Sequence, residues 1–203
     1  LVGSEMCIRD SRMGEVRLHG LIEPGHVSTI IGVKPYLEIS RKFKIAQVIA
    51  GFEPLDLLMA VYMVGRQLAE GRAEVENEYT RSVRFEGNPK ALEAMNEVFE
   101  PFNVEWRGFP LIPASGMKLK KEFETYDARL RYEDFLEDLA SFTPPEAKGC
   151  RCGEILRGVA EPWDCPLFGE ICNPRRPIGP CMVSVEGSCN IEYKYRYSGR
   201  LKG

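Results

Sequence analysis

The sequence predicts an α/β domain with a mostly parallel sheet, followed by a small cysteine-rich domain. Three observations lead to this fold class. Apolar runs of strand-like and helix-like period alternate from Val16 to about Tyr132, a pattern typical of parallel sheets crossed by helices. Six of the seven cysteines lie between Cys150 and Cys189. Pro144-Pro145 marks a boundary, which divides the chain into residues 13–142 and 143–203.

The strands are predicted from short apolar runs. Val16–Ile22 alternates apolar and polar residues and is broken by Pro24-Gly25, so the segment PGHVSTIIG is predicted as a turn region. Ile45–Ala50 (IAQVIA) is a compact, mostly apolar run of the kind that forms a buried parallel strand. Val104–Ile112 is predicted as a strand interrupted at Gly108.

Three helices are predicted from their starts. Pro35 suits the first turn of a helix over Lys34–Phe43. Pro54 opens a second helix that Gly71 ends, with Asp56 in the first turn, where a negative charge favours the helix dipole. Asn88-Pro89 is a cap followed by proline and starts a third helix that runs to Phe99.

Composition excludes two classes of protein. With 27 basic and 30 acidic residues and no basic cluster, the chain is not expected to bind nucleic acid, which requires grouped Lys and Arg. The longest uncharged apolar run, Leu57–Val64, has eight residues, whereas a membrane-spanning helix needs about 20. Residues 1–12 have no clear periodicity and are interpreted as a non-native adapter-like tail, so that Cys7 has no function and the natural sequence begins near Met13.

The cysteine spacing C-x-C-x12-C-x6-C-x8-C-x7-C predicts a metal or redox module. Four thiolates can hold either one zinc ion or one iron–sulfur cluster. The two C-x2-C knuckles of a zinc ribbon are absent, and His19 and His26 lie outside the module. The many prolines and glycines allow backbone N–H groups to approach sulfur, so a cluster is favoured over zinc.

Six cysteines leave two beyond a four-ligand site. If Cys150 and Cys152 lie on extended chain, their side chains point to the same face. One can then ligate a cluster while the other stands beside it, available for a redox disulfide. The alternative is a structural cluster with two buried thiols.

A series of motifs in a fixed order resembles the hydrogenase maturation factors of the HypD family. The motifs are GHVSTIIG (25–32), AGFEPLD (50–56), VENEYTR (75–81), EGNPKAL (86–92), VFE (98–100), WRGFPLIPASG (106–116), KGCRCGEILRG (148–158), CPLFGEIC (165–172) and PIGPCMVSVEGSC (177–189). The resemblance extends from Leu18 to Tyr195.

The resemblance implies a cytoplasmic scaffold on which the Fe(CN)2CO centre of nickel–iron hydrogenases is assembled, rather than a conventional turnover enzyme. It implies two Rossmann-like domains, a C-terminal 4Fe-4S domain, and the partner proteins HypC and HypE. It assigns the cluster ligands as Cys150, Cys165, Cys172 and Cys189, and it assigns Cys152 and Cys181 as a redox disulfide that receives electrons from the cluster. A generic iron–sulfur or zinc-bearing binding module without electron transfer is the alternative.

The resemblance also implies an interdomain cleft. Its candidate residues are Gly51, Phe52, Glu53, Pro54, Asp56, His26, Trp106 and Arg107. Glu53 and Asp56 follow a predicted strand, where open α/β sheets bind ligands, although acids at a helix start also simply compensate the dipole. His26 could equally be a loop hydrogen-bonder, and Trp106 could equally pack the domain.

The chain departs from the family in length. It corresponds to the C-terminal half of the family sequence and lacks the Cys-Gly-x-His and Gly-Pro-Gly-Cys-Pro-x-Cys motifs of the other half. No cysteine occurs between residues 8 and 149. The chain as given is therefore expected to keep the cluster module and to lack the site of the assembled iron, which belongs to the full-length protein. Phe109-Pro110 also departs slightly from the family motif.

Overall fold

The computed structural model describes residues 18–105, 111–140, 148–156 and 158–197. The chain divides into two compact units, Leu1–Glu100 and Pro101–Gly203. The domain boundary expected near residue 142 lies in the segment 141–147, outside the described residues, and stays a prediction. Within the described ranges, no helix is both long enough and apolar enough to cross a membrane.

The first unit is built on a three-stranded parallel sheet of order β1-β2-β3. Its elements in chain order are β1 (Gly20–Pro24), α1 (Gly25–Ile31), α2 (Lys34–Phe43), β2 (Ala46–Ala50), α3 (Pro54–Ala69), β3 (Val75–Asn77) and α4 (Pro89–Val98). The parallel sheet of the prediction is thus confirmed, as is the α/β class.

The core of this unit lies on both faces of β2, all of whose residues are buried. Because successive strand residues point to opposite faces, Val48 packs against Ala60 of α3, whereas Ile49 packs with Val33 and Tyr36 of the α2 side. Helices therefore cover the central strand on both faces.

The predicted bounds of α2 and the predicted start of α3 agree with the structure. The first strand lies further along the chain than predicted, at Gly20–Pro24. The segment predicted as a turn after it contains α1. Pro24 has extended φ and ψ angles and accepts a hydrogen bond from the Ser28 hydroxyl (2.8 Å), while the Thr29 hydroxyl donates to Gly25 O (2.9 Å). These local bonds and burial support a helix that Gly and β-branched residues alone would not predict.

The second unit contains a two-stranded antiparallel sheet and a group of short helices around the cysteines. Its elements are β4 (Phe99–Glu105, which begins in the first unit), β5 (Leu111–Leu119), a 3₁₀ turn (Lys121–Tyr126), α5 (Ala128–Arg131), α6 (Glu133–Ala140), α7 (Cys152–Leu156), a 3₁₀ turn (Pro162–Asp164), α8 (Pro180–Val183), α9 (Ser188–Glu192) and a π-helical turn (Tyr193–Tyr197). The strand predicted over Val104–Ile112 with a break at Gly108 agrees at both ends with β4 and β5, and the break itself lies in residues 106–110, outside the described residues.

Candidate functional site

All six cysteines of the module line one small cavity in the second unit. Short elements bring them there from separate parts of the sequence. Cys152 begins α7, Cys181 lies in α8 and Cys189 in α9, while Cys165 ends the 3₁₀ turn at Pro162–Asp164. Ile155, Phe168, Gly179 and Met182 complete the wall. The module therefore has a core made largely of sulfur.

Most of the cysteines around the cavity are buried. Five of its cysteines are buried and Cys150 is partly exposed. Met182 and Cys181 are only 1% and 2% exposed, and the empty space, including its opening, is about 250 Å³. A buried group of thiols in an apolar wall suits soft metal ions and iron–sulfur clusters, which thiolates bind preferentially.

Gly179 allows the backbone to pass directly against two of these cysteines. A Cβ atom at this position would lie 2.8 Å from Cys150 Sγ and 3.3 Å from Cys152 Cβ. The first distance is shorter than side chains tolerate, so any larger residue would displace the Cys150 thiol from the cavity wall. Glycine is therefore needed before α8 because the cysteines lie so close, and not because of a turn conformation.

Backbone N–H groups donate to cysteine sulfurs. Ile178 N–H donates to Cys172 Sγ (3.4 Å) and Cys181 N–H donates to Cys152 Sγ (3.3 Å). Such bonds stabilise negative charge on sulfur and tune the potential of a bound cluster. The Cys165 thiol instead donates to Gly149 O (3.8 Å), and the Cys181 thiol donates to Cys152 O (3.7 Å).

Two of the thiols, those of Cys150 and Cys181, have a raised pKa, which favours their neutral form. Burial raises the pKa of Cys150, an effect opposed by a backbone hydrogen bond at Cys152 and reinforced by the neighbouring sulfurs. The pKa of Cys181 is raised to about 12: a hydrogen bond with the Cys152 thiol lowers it, but a hydrogen bond with the Cys189 thiol and burial raise it more. Cys181 therefore contacts two other thiols, those of Cys152 and Cys189.

The cysteines surround a space instead of meeting at one point. Among the described residues, no three or more His, Cys, Asp or Glu side chains form a group placed to hold a single metal ion, and no disulfide joins the six cysteines. Thiolates around one zinc lie about 3.7 Å apart, given Zn–S bonds of about 2.3 Å. Cysteines that reach one space from several elements are compatible with the ligands of an iron–sulfur cluster, which thiolates hold at separate irons.

An aromatic group closes one side of the cavity. Phe168 lines the cavity, and its ring meets Trp163 edge-on (centroids 5.0 Å apart, 77°) and Tyr193 (6.3 Å, 76°). Edge-to-face pairs of this kind stabilise a fixed arrangement. The Arg196 guanidinium lies 5.9 Å from the Trp163 ring, so the aromatic group extends from the cysteines toward charged surface residues.

A second candidate site lies in the first unit, where the strands of the parallel sheet end. Gly25 follows β1 and Gly51 follows β2, and a Cβ atom on either would collide with the Tyr79 ring, at 2.7 and 2.8 Å. Tyr79 itself follows β3. Three consecutive strand ends therefore meet at one edge, as expected for a ligand-binding edge of an open α/β sheet.

The predicted acidic residues form an ion-pair group at this edge. Arg81 binds Asp56 through two hydrogen bonds (2.6 and 2.9 Å) and also contacts Glu53 (3.2 Å). Its guanidinium lies 4.4 Å from the Tyr79 ring centroid. Asp56 is buried, whereas Glu53 is exposed. The group joins the start of α3 to the loop after β3.

The remaining cleft candidates divide into those the structure describes and those it does not. His26 lies in the first turn of α1, and its exposed ring is 5.2 Å from that of Phe52. Pro54 is the first residue of α3. Trp106 and Arg107 lie outside the described residues, so their place in a cleft stays a prediction.

Sequence reasoning missed several residues of both sites. Arg81 and Tyr79 were not singled out, although they lie in the VENEYTR segment directly after β3, where position alone could have indicated them. Met182 and Phe168 were also missed, and Gly179 was counted only among the many prolines and glycines expected to let backbone approach sulfur. Only the folded backbone shows that these three line the cysteine cavity.

The Asp56–Arg81 pair predicts a dependence of stability on pH. The hydrogen bonds from Arg81 are the main cause that lowers the pKa of Asp56 in the folded protein. A lowered folded-state pKa stabilises the protein above the unfolded value of about 3.9 and loses this effect as pH falls through the folded value. Asp56→Asn should therefore lower the urea midpoint at pH 7, and the difference from the unsubstituted chain should shrink toward pH 3.

Glu53→Gln is the matched control for this experiment. Glu53 contacts the same guanidinium but is 76% exposed, so its loss should change the urea midpoint little at either pH. Equal midpoints for Asp56→Asn and the unsubstituted chain at pH 7 would show that the ion pair does not stabilise the first unit.

Together, these features define an α/β protein that carries a buried six-cysteine site suited to thiolate chemistry. The family model described as HypD, "Hydrogenase formation hypA family", matches residues 6–196. The chain therefore belongs to the HypD family of hydrogenase formation proteins, as the sequence motifs indicated.

Curated relatives give the same result. A putative hydrogenase expression/formation protein of Methanocaldococcus jannaschii is 50% identical over 181 residues, which are 89% of this chain and 49% of the relative. The hydrogenase maturation factors HypD of Cupriavidus necator and Azotobacter vinelandii are each 46% identical, over 93% and 92% of this chain and 48% of each relative. The chain thus spans about half the length of the curated relatives that it matches.

Proposed function

We propose that this chain is the cluster-bearing part of a scaffold for the maturation of nickel–iron hydrogenase. The observation that carries the proposal is the single cavity lined by all six module cysteines in a chain of the HypD family. In this proposal the first unit is one Rossmann-like domain of the scaffold, and the second unit holds a 4Fe-4S cluster. The protein works in the cytoplasm.

The proposed ligands of the cluster are Cys150, Cys165, Cys172 and Cys189. All four line the cavity, and thiolates are the usual ligands of a 4Fe-4S cluster. Gly179 leaves room for the Cys150 sulfur, and the Ile178 N–H stabilises negative charge on the Cys172 sulfur. When bound, the cluster supplies electrons one at a time.

The proposed redox pair is Cys152 and Cys181. Their side chains are hydrogen-bonded neighbours, and the Cys181 N–H contacts Cys152 Sγ. Closing the disulfide joins the two sulfurs and releases two electrons and two protons, and reopening it consumes the same number. The electrons come from a one-electron donor of the ferredoxin class. A cytoplasmic disulfide is normally catalytic or redox-sensing rather than structural, which agrees with this role.

Counting thiols tests the redox pair. Cysteines are alkylated under denaturing conditions and counted by mass spectrometry, before and after mild reduction of the air-oxidised chain. The unsubstituted chain should gain two thiols on reduction, and Cys152→Ala should gain none because Cys181 has lost its partner. Cys7→Ala, a substitution outside the module, should still gain two.

Two results would contradict the pairing. If Cys152→Ala loses its iron and sulfide while the gain of two thiols persists, Cys152 is a ligand and not a redox cysteine. If the gain of two thiols disappears in Cys189→Ala and persists in Cys152→Ala, the pair is Cys181 with Cys189, the other thiol that Cys181 contacts.

The proposed partners are HypC and HypE, and the proposed contact surface is a cleft to which the first unit contributes His26 and the strand ends around Gly51; Trp106 and Arg107 are further candidates from the sequence alone. In the full-length protein this cleft also carries the Fe(CN)2CO centre. The given chain supplies only one wall of this cleft. We therefore expect calorimetry to give a dissociation constant for HypC well above the nanomolar range. Nanomolar binding, about −12 kcal/mol, would show that one wall suffices.

A further inference from the structure

We propose that the outer face of α3 is an interface that packs against the half of the family's polypeptide lying outside this chain. The inference concerns the first unit alone and does not depend on the cysteine site. It rests on the exposed apolar residues of α3, on a glycine inside that helix, and on the length of the relatives.

The outer face of α3 is apolar. Ala60 and Gln67 point to the sheet and are fully buried, and the opposite side of the helix carries Leu55, Leu58 and Tyr62. These three are 71%, 69% and 62% exposed. An ordinary surface helix has polar residues on the side away from the core, so this helix has the composition of one that is covered on both sides.

Charge is nearly absent from this surface. Between Asp56 and Arg66 the helix contains no charged residue, and Asp56 is buried in its ion pair with Arg81. The helix carries further exposed apolar residues, and Phe52 in the loop before it is also exposed: the helix residues are Leu57, Met59, Val61 and Leu68. Contiguous apolar surface of this kind on a soluble unit marks an interaction site.

Gly65 supplies an independent observation. Glycine disfavours the interior of a helix, yet Gly65 lies inside α3 with an ordinary negative φ. A Cβ atom there would have no heavy atom within 4 Å, so neither backbone conformation nor crowding within the described residues requires glycine. A missing side chain on an apolar helix surface leaves a notch into which a second element can pack closely.

The apolar surface continues onto the edge of the sheet. Ile22 of β1 is exposed and points to the same side as Gly20, two residues before it. A Cβ atom on Gly20 would lie 2.5 Å from a Val64 methyl group of α3, so this side of β1 lies next to the helix. Within the described sheet β1 is an edge strand.

The length of the relatives identifies the occupant. Proteins 46–50% identical to this chain are about twice as long, so each carries a second body of similar size in the same polypeptide. A tethered segment is present at a high effective concentration and needs few charges to steer it to its site. An uncharged apolar face is therefore better suited to a covalently linked neighbour than to a partner that must be found by diffusion.

The test compares the given chain with the same chain joined to the remaining half of the Methanocaldococcus jannaschii relative, in the order of that relative. Leu58→Cys is placed in both, and its reaction with a maleimide is followed by mass spectrometry of the peptide that carries residue 58. We expect labelling at least tenfold slower in the joined protein. Glu93→Cys, on exposed α4, is the control and should react at the same rate in both.

A second variant tests the same surface through the melting temperature, which does not depend on the labelling rate. Leu58→Glu should leave the melting temperature of the given chain unchanged, because the side chain is exposed, and should lower that of the joined protein. Equal labelling rates of Leu58→Cys in the two proteins overturn the proposal. The proposal is also overturned if Leu58→Cys in the given chain alone is labelled more slowly as the protein concentration rises. In that case a second copy of the chain covers the outer face of α3.

Discussion

Replacing Cys165 with serine is expected to abolish the visible absorption and most of the iron and sulfide of the chain purified without oxygen. Cys165 lines the cavity and is buried, and a serine hydroxyl is a far weaker ligand for iron than a thiolate. Because the proposal gives each iron of the cluster one cysteine ligand, the loss of the buried Cys165 thiolate should weaken cluster assembly strongly. Iron, sulfide and the absorption spectrum are measured together.

Cys181→Ser is the control for this substitution. Cys181 is also buried and lines the same cavity, but the proposal does not make it a ligand. A serine hydroxyl can still donate to Cys152 O, as the thiol does. This variant should keep its iron and sulfide. Full iron and sulfide in Cys165→Ser would remove Cys165 from the ligand set.

Ile49→Ala should destabilise the first unit by about 3 kcal/mol, within the usual range for deleting a buried aliphatic side chain. Ile49 is fully buried in the central strand β2 and packs with Val33, Tyr36 and Val83. Its removal leaves a cavity between the sheet and α2 that the surrounding elements cannot close. The free energy of unfolding is measured by urea titration followed by circular dichroism.

Leu58→Ala is the matched control in the same unit. Leu58 is 69% exposed on the outer face of α3, so its truncation in the given chain should change the free energy of unfolding by no more than about 0.5 kcal/mol. A change of less than about 1 kcal/mol for Ile49→Ala would contradict the view that β2 is the centre of the core.

The elements with strong local determinants were predictable from the sequence. Pro35, Pro54 and Asn88-Pro89 each start a helix where expected, because a proline in the first turn and an Asn cap specify a helix start locally. The apolar run that ends at Ala50 is the central strand, since a strand buried on both faces has no polar alternation.

The elements that were missed depend on contacts made only in the fold. Helix α1 is stabilised by the hydroxyls of Ser28 and Thr29 and by burial, although its glycine and β-branched residues suggest a turn. Strand β3 has only three residues and is specified by pairing with β2. Neither element has a local pattern that would have predicted it.

The candidate sites show the same division. The cysteine spacing predicted a thiolate site, and the structure brings all six cysteines to one cavity. The spacing could not show that Cys181 contacts both Cys152 and Cys189, because that depends on how α7, α8 and α9 pack. Likewise, the sequence indicated Asp56 but not its partner Arg81, which is 25 residues away.

The central claim is that the cysteine cavity holds an iron–sulfur cluster, and the metal content of the chain purified without oxygen tests it most directly. Iron, acid-labile sulfide and zinc are determined on one sample, together with its electron spin resonance spectrum after reduction by dithionite. We expect a brown protein with about four irons and about four sulfides per chain and a reducible cluster signal. A colourless protein with one zinc and no iron would contradict it and support a zinc-bearing binding module.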